Sequence, residues 1–292
     1  MENPLFGTCS FIYRSWKNLV YSTDDPGRYL SEYARRYHMV EIDRWFWSLG
    51  KESAGLPLSA TVKSYAEATS SDFSFTIKCP NALTLFYNPA TGEKNPYFLD
   101  AQFAIRFIES LTPILDKTAL LIFQFGYLNR KMFFNQKELL RELDRFFDLL
   151  PPHIRYGVEL RNNQYIDGSW FTFLRDRNIT PVLLSGYWMN DIVQVIERYE
   201  RLFGDTVSIR LHGDDREAIE EQSDKRWDSI VWDRTRDIHQ IAKTIRTLTE
   251  SHQVLVAVNN HFEGSAPLTI RRLRKAIRED SAQSTGDLTE QR

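Results

Sequence analysis

Polar residues recur in alternating pairs at the ends of short apolar runs: Glu41-Ile42-Asp43, Glu159-Leu160-Arg161 and Arg210-Leu211-His212. Side chains of an extended strand alternate faces, so the two polar groups of each triplet point one way and the aliphatic residue points the other. Lys78 closes a further run, Gln124 nearly closes another, and Asn259 with Asn260 follows a last one. Burying three acids (Glu41, Asp43, Glu159) and three bases (Lys78, Arg161, Arg210) together costs several kcal/mol per ion before pairing. A face built only for stability would use Val, Ile and Leu. The set therefore points to chemistry on a polar substrate. Glu41, Glu159 and His212 are the candidate catalytic acids and bases. Lys78, Arg161 and Arg210 are candidate anion binders, with Gln124, Asn259 and Asn260 to orient hydroxyls. For any single pair, such as Glu159 with Arg161 or Arg210, mutual neutralisation inside the fold is an equal alternative.

Other reactive types are less suggestive. Lys78 could form a Schiff base if burial lowered its pKa, but an ion pair with Glu41 or Glu159 is the simpler expectation. Cys9 and Cys79 lack a neighbouring histidine base and read as packing residues, reduced rather than bridged. The six histidines form no HxH or HExxH motif. His212 or His261 with Glu41, Asp43 or Glu159 could hold a divalent metal, yet no ligand spacing requires one and the metal ligands stay unknown. GxSxG, Walker-type and GxGxxG signatures are missing, which removes support for serine esterase, nucleoside-triphosphatase and Rossmann readings. Aromatic residues cluster beyond the run ends: Tyr13, Trp16, Trp45 to Trp47, Phe86, Tyr87, Tyr127, Tyr165, Trp170, Tyr187, Trp188 and Phe262. Two to four of these rings are expected to touch ligand.

Positioning these groups requires strands that end together. Eight β-rich runs are expected near Leu5–Ser10, Met39–Asp43, Phe73–Lys78, Ala119–Phe125, Arg155–Arg161, Thr180–Leu184, Val207–His212 and Val254–Asn259. Helical periodicity lies between them. It is clearest in NQKELLRELDRFFDLLPP, where Asn135 can cap the start and Pro151 stops the helix. Further helices are expected over 28–36, 60–69, 96–111, 169–177, 191–203, 234–249 and 267–278, with starts at Asn95, Asn190 and Ser265. Such alternation predicts a single-domain α/β fold, a (β/α)8 TIM barrel over 1–278, whose active sites form at the strand carboxyl ends. A doubly wound open sheet is the competing topology. Loops at Pro80–Asn95 and Gly213–Asp233 are long enough to be lids or solvated decoration. The polar tail 279–292 has no apolar face and is expected to be loose.

The 292 residues suit one such barrel, which needs roughly 250. With 42% hydrophobic and 26% charged residues the chain is ordinarily globular, and its net charge of −2 gives no global attraction to nucleic acid or anionic membrane. No amino-terminal signal pattern or long apolar span is visible, so the expectation is a cytoplasmic protein without membrane contact.

The segments GTCSFIYRSW, YARRYHMVEIDRWFW, FSFTIKCP, LLIFQF, YGVELRNNQY, SIRLHG and VAVNNHFEGSA occur in this order over about residues 7 to 277. In this the chain resembles the YecE-like family, domain of unknown function 72. The resemblance implies a TIM barrel and supplies no mechanism. Glu41, Lys78, Gln124, Glu159, Arg161, Arg210, His212, Asn259, Asn260 and Gly264 match the family pattern. The chain departs from it at Asp43, Phe46-Trp47, Ser185 and Leu268-Thr269. The strand-end residues themselves lead to the expectation of an enzyme with acid/base chemistry, a hydrolase or an isomerase or lyase, acting on a small polar or anionic molecule such as a sugar phosphate or nucleotide fragment. The alternative is a nucleic-acid binding or processing protein using the same cleft, and a noncatalytic sensing role stands behind both. Cofactor and oligomeric state are not legible.

Overall fold

The structure is a computed structural model that describes residues 3–290, with side chains over 3–280. Eight parallel strands close into a barrel in chain order: β1 (Leu5–Cys9), β2 (Met39–Ile42), β3 (Ser74–Lys78), β4 (Thr118–Phe125), β5 (Tyr156–Leu160), β6 (Thr180–Gly186), β7 (Thr206–Gly213) and β8 (Gln253–Val258). The ring closes where Leu5 to Thr8 of β1 pair with Leu255 to Val258 of β8. The open-sheet alternative is thereby excluded.

Strand alternation sorts the core into two compartments. Ile42, Leu160 and Leu211, the aliphatic residues between the polar pairs, face outward and pack with the helix side chains. Inside the ring, Leu5, Met39, Leu120, Ile122, Val182 and Leu255 form a separate apolar plug. Above that plug the inward positions turn polar. The barrel is thus filled at its amino-terminal end and carries its charged layer at the carboxyl ends, where this fold places active sites.

The helices are α1 (Tyr29–Tyr33), α2 (Ser59–Glu67), α3 (Ala101–Ser110), α4 (Gln136–Asp148), α5 (Gly168–Asp176), α6 (Ile192–Tyr199), α7 (Arg216–Ser223), α8 (Thr235–Leu248) and α9 (Ala266–Glu290). Asn135 caps α4 by accepting from the Glu138 amide, as its position suggests. Two other starts differ from expectation, and a third, after Ser265, falls where expected. Helix α3 begins at Ala101 because Asp100 supplies the cap. Asn95 instead donates to the carbonyls of Ala82 and Leu85, tying down the loop after β3. Asp191 caps α6, while the Asn190 amide donates to the Asn163 side chain. At α9 the Ala266 amide is satisfied by Asn260 and the Ser265 hydroxyl has no partner among the described residues.

The loop after β7 is not wholly irregular, since it holds α7. The sequence hides that helix because its one fully buried aliphatic residue, Ile219, gives almost no apolar periodicity. Helix α9 continues past Arg278 into the segment expected to be a loose tail. Gln291 and Arg292 lie outside the described residues. Among the described residues no helix is long and apolar enough to cross a membrane.

Candidate active site

Arg210 organises the charged layer. Strands β2 and β7 are not neighbours in the ring, so its side chain crosses the barrel interior. Its Nε donates to Glu41 Oε2 at 2.8 Å and its Nη2 to Glu41 Oε1 at 2.6 Å, a two-point fork. Its Nη1 donates to Glu159 Oε2 and, at 3.2 Å, to Gln124 Oε1. Register places Gln124 beside Glu159 on adjacent strands. Arg210, Glu41 and Glu159 are all buried. Burial alone would raise the Glu159 pKa, but Arg210, Arg161 and Lys78 overcome it and hold the carboxyl at about 2. The same two glutamates keep Arg210 protonated against its own desolvation. A guanidinium this fully occupied has no free fork for an incoming anion.

Two other cations stand nearer the opening with donors to spare. Arg161 gives its Nε to Glu159 Oε1 at 2.7 Å. Its two terminal nitrogens make no hydrogen bond among the described residues, and the guanidinium stands 5.1 Å from the centre of the Tyr187 ring. Lys78 retains only 8% exposure. The expected ion pair with Glu41 or Glu159 does not form, because Arg210 and Arg161 already occupy those oxygens. Its ammonium lies over the Phe46 ring, 3.7 Å from the centroid, and makes no ion pair or hydrogen bond among the described residues. Burial, reinforced by the charge on Arg210, lowers its pKa to about 8, although Glu41, Glu159 and Asp43 pull the other way.

The rings that hold these cations are set by loop geometry. Asn81 anchors the Phe46 segment: its amide donates to the Phe46 carbonyl at 2.7 Å and its side chain accepts from Ser48 and Leu49. Tyr187 has a left-handed backbone, φ 55°, and its amide donates to the Gly213 carbonyl. Gly213 itself has φ 79°, and a Cβ there would lie 2.3 Å from the His261 carbonyl oxygen. Only glycine fits both constraints.

Three further groups complete the layer. His212 is buried; its Nε2 lies 3.7 Å from Cys9 Sγ and its Nδ1 has no hydrogen-bond partner among the described residues. Burial, then Arg210, Arg161 and Lys78, push its pKa well below the usual range, so the ring is neutral at pH 7. Asp43 is half-buried, and burial followed by the charge on Glu41 raises its pKa. Burial, with Glu41 next, likewise keeps Cys9 a thiol.

Cys9, Glu41 and His212 present one ligand atom each within 4.8 Å of one another, the one such group among the described residues. A cation there would have to share Glu41 with the Arg210 fork. It would also bind a histidine whose other nitrogen lacks the hydrogen bond that usually orients a metal ligand. The donor types suit zinc, but the surroundings oppose it.

The sequence-selected residues therefore separate. Glu41, Lys78, Gln124, Glu159, Arg161, Arg210 and His212 converge on the carboxyl end of the barrel. Asn259 and Asn260 serve the loop after β8. Asn259 accepts from the His261 amide and meets its ring at 2.5 Å, while Asn260 caps α9. His261 pairs with Glu220 on α7 at 2.9 Å. Among the aromatics, Trp16, Trp170 and Phe262 are core, whereas Trp47, Tyr127 and Trp188 are exposed. Sequence reasoning had no signal for Phe46 or Tyr187 as cation partners beyond their place in aromatic clusters.

The family model described as "Protein of unknown function DUF72" matches residues 5–291. The chain belongs to the DUF72 family. A DUF72 family protein of Enterococcus faecalis V583 superimposes with a TM-score of 0.69 at 17% identity, covering 94% of this chain and 95% of that one. A DUF72 family protein of Thermotoga maritima MSB8 does so with a TM-score of 0.63 at 19% identity, covering 96% and 100%. At these identities the likeness shows the fold alone. A comparison with curated protein sequences finds no match.

Proposed function

We propose that this DUF72 protein is an enzyme acting by proton transfer on a small polar molecule with an anionic group, bound at the carboxyl ends of the strands. One observation carries the reading: Lys78, without an ion pair among the described residues, and the terminal nitrogens of Arg161, whose Nε is already paired with Glu159, present unused donors near the opening. An ordinary structural network would have paired Lys78, since an uncompensated buried charge is costly. Arg161 offers a planar fork for a phosphate or carboxylate. Glu159 remains ionised and anchors Arg161, and Glu41 with Arg210 positions the layer rather than exchanging protons. Asp43, whose pKa is raised by burial and then by Glu41, and neutral His212, whose Nδ1 has no hydrogen-bond partner among the described residues, are the groups that would exchange protons with the substrate. Gln124 supports Arg210.

The reading is tested by thermal unfolding and tryptophan fluorescence with inorganic phosphate, pyruvate and dihydroxyacetone phosphate. Trp47 and Trp188 adjoin the Phe46 and Tyr187 rings and serve as reporters. At least one of these anions should stabilise the protein and perturb the fluorescence, and Arg161→Ala should abolish both effects. Equal responses in wild type and variant would remove the site assignment.

Nucleic-acid binding at the same end is the second reading, favoured by the exposed rings of Trp47, Tyr127, Phe134 and Trp188 in the strand-end loops. Phosphate neutralisation requires affinity to fall steeply with salt. Absence of binding to single- and double-stranded oligonucleotides at low salt would eliminate it. A cytoplasmic setting fits the two free, buried cysteines.

A further inference from the structure

Lys78 is the buried reactive group for which proton transfer alone gives no use. It ends β3 at the carboxyl face of the barrel and points into the ring with Glu41, Glu159 and Arg210. Ring stacking over Phe46 fixes the ammonium without consuming any of its hydrogen-bond donors. We propose that Lys78 is a catalytic nucleophile whose Nζ forms a Schiff base with the carbonyl carbon of a small anionic aldehyde or ketone, its anionic group held by Arg161. The inference rests on the small-anion reading above and gives it a substrate class: 2-oxo acids and phosphorylated carbonyl compounds.

The step balances without an added reactant. The neutral Nζ lone pair attacks the carbonyl carbon, and the carbonyl π electrons move to oxygen, which takes a proton to give a carbinolamine. A second proton on that hydroxyl lets it leave as water, and the C–N bond becomes an iminium. The nitrogen loses one of its own protons between these events, so the sum is amine plus carbonyl plus one proton giving iminium plus water. Asp43, whose pKa burial and then Glu41 raise, is the proton source facing the amine. Nothing is oxidised or reduced.

A Schiff-base lysine must be unprotonated to attack. Glu41 and Asp43 at the end of β2, Gln124 on β4, Glu159 and Arg161 at the end of β5, and Arg210 and His212 on β7 are the polar groups facing Lys78. The acids among them favour its charged form, yet burial and Arg210 prevail. With a pKa of about 8, roughly a tenth of the amine is free at pH 7, a few hundred-fold more than for an ordinary lysine. Phe46 and the buried layer beneath exclude water from one side of the nitrogen, which favours the dehydrated iminium.

The test is reductive trapping on the full chain. Protein is incubated at pH 7 with pyruvate or with dihydroxyacetone phosphate, reduced with sodium cyanoborohydride, and analysed by intact mass and peptide mapping. One equivalent should add, raising the mass by that of the compound less one oxygen atom, and it should map to Lys78 rather than to exposed Lys51, Lys94 or Lys131. Lys78→Arg and Lys78→Gln, both checked for native circular dichroism, should lose the adduct. The trapping rate should rise several-fold between pH 7 and pH 8.5. Labelling spread over surface lysines, or no adduct at Lys78 with either compound while the anions still stabilise the wild type through Arg161, would overturn the nucleophile and leave the binding site standing. Loss of both responses would overturn the two together.

Discussion

Replacing Lys78 by Met should stabilise the protein, and the size of the gain can be worked from the environment of the amine. The fall of its pKa from 10.5 to about 8 means that holding the charged form in the fold costs about 3 kcal/mol, at about 1.4 kcal/mol per pH unit. Below pH 8 both folded and unfolded chains carry the proton, so the penalty is fully present. Between about 8 and 10.5 the unfolded chain binds more protons, so native stability rises with pH and the penalty fades. Methionine keeps the unbranched length and removes the charge. It also forfeits the contact with Phe46, worth roughly 0.5 to 2 kcal/mol. The net expectation at pH 7 is a gain of about 1 to 3 kcal/mol. Urea unfolding of Lys78→Met and wild type, at pH 7 and again at pH 10, reads this as a shift in midpoint at unchanged slope. A variant less stable than wild type at pH 7, or a difference that does not shrink by pH 10, refutes the reasoning. A lysine that destabilises the fold yet has no ion-pair partner among the described residues fits a group held for chemistry rather than for structure.

Three other substitutions probe the layer beneath. Arg210→Met strands Glu41 and Glu159 in the interior and should cost about 3 to 5 kcal/mol in urea unfolding; a loss under about 1 kcal/mol would show that Arg210 does not organise the layer. Glu159 has a folded pKa depressed from 4.5 to about 2, so its contribution, about 3 kcal/mol, is complete above pH 4.5 and drains away as pH falls toward 2. Stability of Glu159→Gln should therefore depend less on pH than wild type between pH 5 and pH 3, and parallel curves would contradict the assignment. Gly213→Ala places a Cβ 2.3 Å from the His261 carbonyl in a left-handed residue and should cost about 1 to 3 kcal/mol. Because the Tyr187 amide donates to the Gly213 carbonyl, the variant should also weaken stabilisation by dihydroxyacetone phosphate; unchanged stabilisation would separate Tyr187 from the site.

The barrel was legible because strand alternation leaves a plain trace: Ile42, Leu160 and Leu211 separate polar neighbours and face the helices. The same period placed Glu41, Glu159 and Arg210 on the inner face. Their division of labour was not legible. Which carboxylate meets which cation depends on side chains crossing a ring between strands 169 positions apart in sequence, as Arg210 does to reach Glu41. Equal formal charges hid that Arg210 is spent while Arg161 and Lys78 are not. Asn259 and Asn260 drew notice as polar residues after a strand, but local turn and cap geometry absorbs such residues as readily as a substrate does. The helix starts at Asp100 and Asp191 each lie beyond an asparagine equally able to cap; the Asn95 side chain instead donates to the Ala82 carbonyl and the Asn190 amide to the Asn163 side chain.

Whether Lys78 and Arg161 form one ligand site can be seen in a crystal of wild-type protein soaked with dihydroxyacetone phosphate without reductant. Density is expected at the carboxyl end of the barrel, with the phosphate on the terminal nitrogens of Arg161 and the carbonyl carbon within bonding or near-attack distance of Lys78 Nζ. Ligand bound elsewhere on the molecule, with Lys78 and Arg161 untouched at saturating concentration, would contradict that arrangement.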